Sequence, residues 1–333
     1  MLCGIGHDGA MTDQDHNAIP GFVRPEELRA FHRDNRKPMG DKRCTAREAV
    51  ERLVKDDDYL GIGGFGTNRI PTAILHEIVR QRRKGLSFAG HTATHDCQLL
   101  VAGECIDHCD VAYVVGLEAR GLSAHARRAF ESGRITVTDW SNGALAWRLR
   151  AAAMGVSFLP ARTMLGTDTF ERSAATTIQC PFTGQTHAAL PALSPDVSAI
   201  HVHRCDPLGN AQIDGILIAD PDLARASKRV ILTCEEVVET DRIRAEPWRT
   251  VIPGTCVDAV VEAPYGSYPG NMPGLYYSDE PYLANWLEIE KGEAAFARFI
   301  REQVYDCADH AAYIRLNGGE KRMRELADIE HNP

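Results

Sequence analysis

Short apolar runs and helix-spaced apolar positions alternate along the chain from about residue 45 onward. Continuous apolar runs predict buried strands, and they occur at 59–63, 86–90, 110–115, 135–139 and 156–160. Helical spacing lies between runs, clearest over 119–133 and 143–155. Near-continuous apolar strands that alternate with helices are typical of a parallel sheet covered on both sides. We therefore predict the α/β class, with an open, mainly parallel sheet and helices on both faces.

The same pattern divides the chain into an extension and one domain. Residues 1–42 are polar and predict an N-terminal extension, whereas residues 43–333 form the globular part. The domain begins near Thr45, where Thr45 and Glu48 have the spacing of a helix capping box. Within the domain, 163–195 predicts an irregular insertion, and the chain closes with a helical tail.

Net charge, hydropathy and cysteine spacing indicate which partners and which cellular compartment are expected. The net charge of -9 argues against a nucleic-acid partner, which requires a basic face. No apolar run is long enough to predict a membrane span. The 10 cysteines are scattered and form no C-x-x-C pair, so we interpret them as buried thiols of a reducing compartment and predict a cytoplasmic protein.

A glycine-dense turn, Gly61–Pro71, lies between the first predicted strand and a helix. Glycines allow backbone donors to approach a ligand closely, and a helix N-terminus favours negative charge. The spacing is neither that of a dinucleotide-binding fingerprint nor that of a P-loop. Turn chemistry alone leaves a ligand site and a plain strand-to-helix connection equally open.

With its surroundings, the turn resembles a known signature. The run DDDYLGIGGFGTNRIP, residues 56–71, is similar to the A-type signature of family I CoA-transferases. Many members have glycine where this chain has Arg69, and arginine there resembles the glutaconate branch. The resemblance extends over about 43–320 and includes VILTCEEVV, IPGTCVDAVVEAPYGSYPG and the DPLGN run at 206–210.

The resemblance implies a two-subunit enzyme with an active site at the subunit junction. A glutamate of a B-type subunit would attack the acyl-CoA, and CoA would pass through a glutamyl thioester to an acceptor acid in ping-pong order. We therefore expect a B-type partner in a heterodimer or a dimer of heterodimers. Coenzyme A would be a substrate, and we predict no permanently bound cofactor.

Asn142 is the candidate catalytic residue of this chain. The family often places glutamine at this point, where an amide can donate to a developing oxyanion. Related ring-opening hydrolases of steroid breakdown carry glutamate there, so an asparagine favours transferase over hydrolase. The alternative is that Asn142 caps the helix that starts at Gly143.

Substrate contacts are predicted for three loops that follow strand ends. The predicted substrate-binding residues are Gly63, Gly64, Phe65, Gly66, Thr67, Asn68, Arg69, His91, Thr92 and Glu118. Arg69 would hold the distal carboxylate of a dicarboxylic substrate, or instead form a salt bridge to 56–58 or to the partner. Glu118 would contact substrate, or pair with Arg120.

Two further function classes stay open beside the transferase. A CoA-ester hydrolase on the same scaffold would release CoA without an acceptor acid. A catalytically silent relative would pair with a B-type subunit that lacks its glutamate. We predict no metal site, although His201, His203 and Cys205 alternate on one strand and share a face.

Overall fold

The computed structural model describes residues 19–114, 116–117 and 121–332. Its strands, in chain order, are β1 Tyr59–Ile62, β2 Leu86–Gly90, β3 Ile106–Val111, β4 Gly116–Leu117, β5 Gly121–Leu122, β6 Thr136–Asp139, β7 Phe158–Ala161, β8 Thr176–Gln179, β9 Thr186–Pro191, β10 Val197–Cys205, β11 Ala211–Gln212, β12 Arg229–Val237, β13 Thr250–Ile252 and β14 Ala259–Glu262.

A mainly parallel sheet forms the centre of the molecule. Seven strands run parallel in the spatial order β6, β3, β2, β1, β10, β12, β14. The short strand β11 pairs antiparallel with the carboxyl end of β10, and β13 pairs antiparallel with β11. The predicted α/β sheet is confirmed, and all parallel strands present their carboxyl ends at one edge, where open α/β sheets bind ligands.

Helices cover both faces of this sheet. They are α1 Pro25–Asp34, α2 Ala46–Leu53, α3 Thr72–Arg80, α4 His95–Ala102, α5 Ala124–Glu131, α6 Asn142–Met154, α7 Asp168–Glu171, α8 Asp220–Ala226, α9 Thr240–Ala245, α10 Glu280–Ile289, α11 Glu293–Ile300, α12 His310–Leu316 and α13 Gly319–His331. Successive strand residues enter different cores: Ile231 of β12 packs in one cluster, with α3 and α4, and Leu232 packs in the other, with α6 and α8.

Two predicted strands differ from the observed ones. The third strand lies at 106–111 rather than 110–115, and residues 112–114 of the apolar run follow the strand rather than forming it. The run at 156–160 gives β7, which leaves the main sheet and pairs antiparallel with β9. Strand β8 pairs with the other side of β9, so the predicted irregular insertion, 163–195, contributes two strands of a three-stranded sheet.

The described part of the predicted extension, residues 19–42, packs against the domain. Arg29 donates from Nη2 to the Gly155 carbonyl at 2.9 Å, and Lys37 Nζ lies 2.6 Å from Asp258 Oδ2. We call residues 19–42 the N-terminal segment. The capping box at Thr45 and Glu48 is present as predicted.

Cysteines and membrane spans were the basis of the predicted location. The nine cysteines that the structure describes are free thiols, and no helix in the described ranges has the length and apolar character of a membrane span. The cytoplasmic location stays a prediction.

Candidate active site

Three loops converge at the carboxyl edge of the sheet, one each after β1, β2 and β6. The amide of Gly66, after β1, donates to the His91 carbonyl at 3.3 Å. Asn142, after β6, donates from Nδ2 to Thr92 Oγ1 at 3.2 Å. The structure thus brings together residues that the sequence predicted separately, although β3 lies between β2 and β6.

The glycine turn, residues 63–69, has a backbone that side chains would obstruct. Phe65 and Asn68 exchange backbone hydrogen bonds of 3.0 and 2.9 Å, which closes a tight turn. Gly64 has a φ of +85°, and a Cβ there would lie 2.3 Å from the Asn68 carbonyl oxygen. Glycine is therefore required at position 64 by both conformation and space.

Arg69 does not occupy the position that the sequence analysis gave it. Its side chain is 0% exposed, and it donates from both terminal nitrogens to Asp220, each at 2.8 Å. Arg69 also donates to the Ile216 carbonyl at 2.8 Å. A guanidinium enclosed in this way has no access to a substrate. The prediction that Arg69 binds the distal carboxylate of a dicarboxylic substrate is therefore wrong. The salt-bridge alternative holds, but with Asp220 rather than with residues 56–58.

Asp220 links the ion pair to the glycine turn. Its Oδ1 also accepts a hydrogen bond from the Gly64 amide at 2.9 Å. Burial raises the pKa of this carboxyl, but the Arg69 guanidinium and the hydrogen bonds outweigh burial and hold the pKa below its usual value. Asp220 is therefore an ionised anchor that fixes the turn in place.

Asn142 is the first residue of α6 rather than its cap. Ser141 caps the helix by accepting from the Ala144 amide at 3.1 Å, so the capping alternative for Asn142 is wrong. Among the described residues, Asn142 Oδ1 is buried without a hydrogen-bond partner. A buried amide oxygen without a partner is costly unless a ligand or a second subunit satisfies it, which makes Asn142 a functional candidate on structural grounds.

His91 and Thr92 form the wall beside Asn142. Both are buried, and Thr92 has a φ of 47°, a strained value for a β-branched residue of the kind that clusters at functional sites. Burial lowers the pKa of His91 to about 4, against smaller raising effects from Asp220 and Asn142. His91 is therefore a neutral imidazole at neutral pH, able to donate from one nitrogen and accept at the other.

A second acidic side chain near the turn, Asp96, is also engaged in a hydrogen bond within the chain. It accepts from the Thr94 amide at 2.6 Å, and Thr94 in turn donates from Oγ1 to the Gly66 carbonyl at 2.9 Å. Burial raises the pKa of Asp96 to about 7. Neither Asp96 nor Asp220 is thus placed as a free nucleophile. The predicted contact Glu118 lies outside the described residues.

Sequence reasoning missed the loop that supports the turn from behind. We call residues 264–279 the Tyr-rich loop; its Asn271 receives a backbone hydrogen bond from Arg69 and donates one to Thr67, each at 2.9 Å. Asn271 also donates from Nδ2 to Asn68 Oδ1 at 2.8 Å. Nothing local in the sequence of this loop indicates its contact with the turn.

The histidines on β10 are engaged in structural hydrogen bonds. His201 lies 2.8 Å from Glu235 Oε1 and 2.7 Å from Thr233 Oγ1. His203 bonds to the Pro273 carbonyl at 2.8 Å and accepts from the Asp214 amide. Within the described residues no group of three or more His, Cys, Asp or Glu side chains is arranged to hold a metal ion.

Comparisons with known proteins agree with this architecture. The coenzyme A transferase family model matches residues 43–263. The A-type subunit of glutaconate CoA-transferase from Acidaminococcus fermentans is 33% identical over 84% of this chain and 93% of its own length. The A-type subunit of 3-oxoadipate CoA-transferase from Pseudomonas knackmussii is 34% identical over 81% of this chain and 95% of its own.

A structural match and a relative of different activity complete the comparison. The crystal structure of the Acidaminococcus enzyme superimposes with a TM-score of 0.82 at 32% identity, covering 86% of this chain and 95% of that one. The cholesterol ring-cleaving hydrolase IpdA subunit of Rhodococcus jostii is 30% identical over 78% of this chain and 90% of its own length. The family match spans most of the sheet and the glycine turn, and both named transferase relatives are A-type subunits; this chain therefore belongs to the coenzyme A transferase family, as an A-type subunit of family I.

Proposed function

We propose that this chain works with a B-type subunit to move CoA from an acyl-CoA to a carboxylic acid. The observation that carries the proposal is Asn142: an amide with a buried oxygen, not a carboxylate, lies where the three loops meet. The carboxylates beside the turn are tied to backbone amides and to Arg69. The nucleophile is then supplied from outside this chain, by a glutamate of the partner.

The exchange divides one difficult reaction into easier steps. The partner glutamate attacks the thioester carbonyl, which forms a mixed anhydride and releases CoA thiolate. The thiolate attacks the glutamyl carbonyl of the anhydride, which frees the first acid and leaves a glutamyl-CoA thioester. The acceptor carboxylate then repeats the sequence in reverse, so the glutamate is regenerated and no water is consumed.

This chain contributes polar groups to the developing negative charge. Each step passes through a tetrahedral oxyanion, and fixed hydrogen-bond donors stabilise such charge without reorganising. The Asn142 amide is the donor we assign to this task, with the neutral His91 ring beside it. The glycine turn supplies the close backbone wall against which the acyl group lies.

We propose a dicarboxylic acid as one substrate. The support is the names of two relatives, which act on glutaconate and 3-oxoadipate. Arg69 does not serve this specificity, because its two terminal nitrogens are bound to Asp220 in the interior.

The decisive experiment uses the chain co-purified with its B-type partner. An acyl-CoA donor is mixed with glutaconate, 3-oxoadipate or acetate, and new CoA thioesters are measured by mass spectrometry. We expect exchange by the complex, no exchange by the chain alone, and a preference for the dicarboxylic acids. Asn142→Ala should lower kcat about 10²-fold to 10³-fold, as loss of an oxyanion donor does. Asn332→Ala, at an exposed asparagine, is the matched control.

The other outcomes separate the alternatives. If the complex releases free CoA at the same rate with and without acceptor acid, the protein is a hydrolase like its ring-cleaving relatives. If the complex forms but catalyses neither reaction, it is a silent member of the family. A normal kcat for Asn142→Ala would remove the assigned role of the amide while leaving the transferase class intact.

A further inference from the structure

The N-terminal segment closes one wall of a pocket at the amino edge of the sheet. Its α1 lies against the end of α6 through the contact of Arg29 with Gly155. Further along, Lys37 donates to the Lys228 carbonyl at 2.6 Å, immediately before β12 begins. Residues before β14 form the opposite wall, so the pocket lies where strands start rather than where they end.

The pocket has a volume of about 600 Å³ and a basic lining. Its lining residues are His32, Arg36, Lys37, Met39, Ala153, Ala224, Arg225, Ser227, Thr255 and Cys256. Among these described residues none is acidic, although the whole chain carries a net charge of -9. We call this cavity the basic pocket.

Several polar groups of the pocket have no acidic partner among the residues that the structure describes. Arg36 forms no hydrogen bond or ion pair with any residue that the structure describes. Arg225 donates to the Pro221 carbonyl of its own helix at 2.8 Å and, within the described part of the chain, has no carboxylate partner. His32 Nε2 is buried and lacks a partner in the described ranges. Lys37, by contrast, is neutralised by Asp258 at 2.6 Å.

We propose that the basic pocket binds a phosphate-bearing small molecule of about nucleotide size. Two guanidinium groups without carboxylate partners match phosphate oxygens in charge and in fork geometry. The volume falls within the range of small-molecule sites, roughly 300–1,000 Å³. Met39, Ala153 and Ala224 provide an apolar surface for the remainder of such a ligand, and the Thr255 hydroxyl provides a further hydrogen bond.

The basic pocket is separate from the candidate active site. The two sites have different linings: the glycine turn follows the end of β1, and no residue of 63–69, 91–92 or 142 lines the pocket. A ligand in the basic pocket therefore contacts side chains other than those predicted to contact the substrate. Four of the lining residues, His32 to Met39, also precede the region 43–263 that matches the family model.

The test uses the full chain, bound to its B-type partner, with ADP as the probe. Binding is measured by titration calorimetry, with inorganic phosphate as a second probe that lacks the nucleoside. Arg36→Ala and Arg225→Ala should each raise the Kd for ADP about tenfold, the loss expected for a charge-assisted hydrogen bond. Arg33→Ala is the matched control, because Arg33 lies in the same N-terminal segment as Arg36, pairs with Asp34 and does not line the pocket.

Cysteine alkylation locates the ligand independently of affinity. Cys256 lines the basic pocket, whereas Cys180 lies in the turn between β8 and β9. Bound ADP should slow the alkylation of Cys256 by iodoacetamide, read by mass spectrometry, and leave that of Cys180 unchanged. Tighter binding of ADP than of phosphate supports a nucleotide, and equal binding supports a simple phosphate site.

Three results would overturn the proposal. They are the absence of binding at millimolar ADP and phosphate, binding that leaves Cys256 alkylation unchanged, and an Arg33→Ala effect as large as that of Arg36→Ala. If ADP occupies only the CoA site of the complex, it will bind without changing the alkylation of Cys256, so this alternative can be distinguished. The transferase assay is unaffected by these outcomes, because none of the substituted residues lies at the glycine turn.

Discussion

The contact between Arg69 and Asp220 replaces a substrate interaction with an internal one. Both side chains are fully buried, and the pair is completed by the Gly64 amide and the Ile216 carbonyl. A buried pair of this kind contributes little net stability compared with apolar residues, but removal of one member leaves an uncompensated charge. We therefore expect the ion pair to position the glycine turn rather than to stabilise the fold, since Asp220 accepts the hydrogen bond of the Gly64 amide.

Single and paired substitutions at this site should have different effects. Arg69→Ala or Asp220→Ala should destabilise the chain by about 3–5 kcal/mol, because one buried charge is left alone. The double variant Arg69→Met with Asp220→Leu should recover most of this stability. Its kcat should nevertheless stay low, because the Gly64 amide has lost its acceptor. Urea unfolding and CoA exchange by the complex measure the two properties.

The exposed pair Arg127 and Glu131 provides the control for this comparison. Arg127→Ala should change the free energy of unfolding by less than about 1 kcal/mol, as exposed ion pairs do. If the double variant is both stable and fully active, Asp220 does not position the turn, and the pair is structural only.

Asp96 should make the stability of the chain depend on pH near neutrality. Burial raises its pKa to about 7, whereas an unfolded aspartate titrates at about 3.9. Between these values the folded chain holds a proton that the unfolded chain releases. The stability from this group is therefore greatest below about pH 4, declines as pH rises to about 7, and is constant above.

The substitution Asp96→Asn should remove this decline, because an amide does not ionise. Between about pH 5 and pH 7.5 the Tm of the variant should fall less than that of the parent, whose loss is at most about 1.4 kcal/mol per pH unit from one group. Asp309→Asn is the control, since Asp309 caps α12 at the surface by accepting from Ala312. Parallel pH profiles of parent and Asp96→Asn would show that Asp96 is already ionised when folded.

At the scale of elements, the sequence predicted strands better than it predicted sheets. The runs at 59–63 and 86–90 became β1 and β2 almost residue for residue, because each is continuous and apolar. The run at 156–160 became β7, which is half exposed and pairs outside the main sheet. A local apolar run reports burial and strand propensity, but the partner strand depends on distant residues.

The Tyr-rich loop is hydrogen-bonded to the glycine turn, so a substitution that moves the loop should disturb the turn. A Cβ on Gly270 would lie 2.3 Å from the Thr67 carbonyl oxygen, so Gly270→Ala should push the loop away from the glycine turn. We expect kcat of the complex to fall at least about tenfold, since displacement by one ångström at a site is costly. Gly40→Ala, where no atom lies within 4 Å of the added Cβ, should leave kcat unchanged.

Circular dichroism and thermal unfolding accompany the kinetic assay on both glycine variants. A Gly270→Ala chain that folds with a normal Tm and a reduced kcat would assign the loop a positioning role. Normal kcat in a folded variant would contradict that role and would imply that the turn tolerates a shift of the loop.

At the scale of the whole molecule, the candidate site joins segments that are far apart in sequence. Arg69 and Asp220 are separated by 151 positions, and Asn68 and Asn271 by 203. The glycine turn itself was recognisable from the sequence, because its signature is local. Asp220 and Asn271 could not be recognised as part of the site, because no local sequence pattern indicates that β1, α8 and the Tyr-rich loop meet at one edge of the sheet.

Exposed apolar residues, which we call the apolar rim, lie beside this edge of the sheet. We define the apolar rim as the adjacent residues Ile216 and Leu217, which are 47% and 40% exposed; the Ile216 carbonyl accepts a hydrogen bond from Arg69. We propose that a second subunit completes this site, and exposed apolar side chains beside it are then expected to lie in the interface. Leu217→Asp should therefore raise the Kd for the B-type partner about tenfold or more, while its exposed position keeps the change in unfolding free energy within about 0.5 kcal/mol.

Met39→Asp is the control, because Met39 is 80% exposed at the amino edge of the sheet. Affinity is measured by biolayer interferometry, and CoA exchange is measured across a range of partner concentrations. Excess partner should restore the exchange rate of Leu217→Asp, because mass action repopulates a complex that has only been weakened. A loss of activity that excess partner does not restore would place Leu217 in catalysis rather than assembly. Unchanged affinity, or an equal loss in Met39→Asp, would place the partner on another face of the molecule.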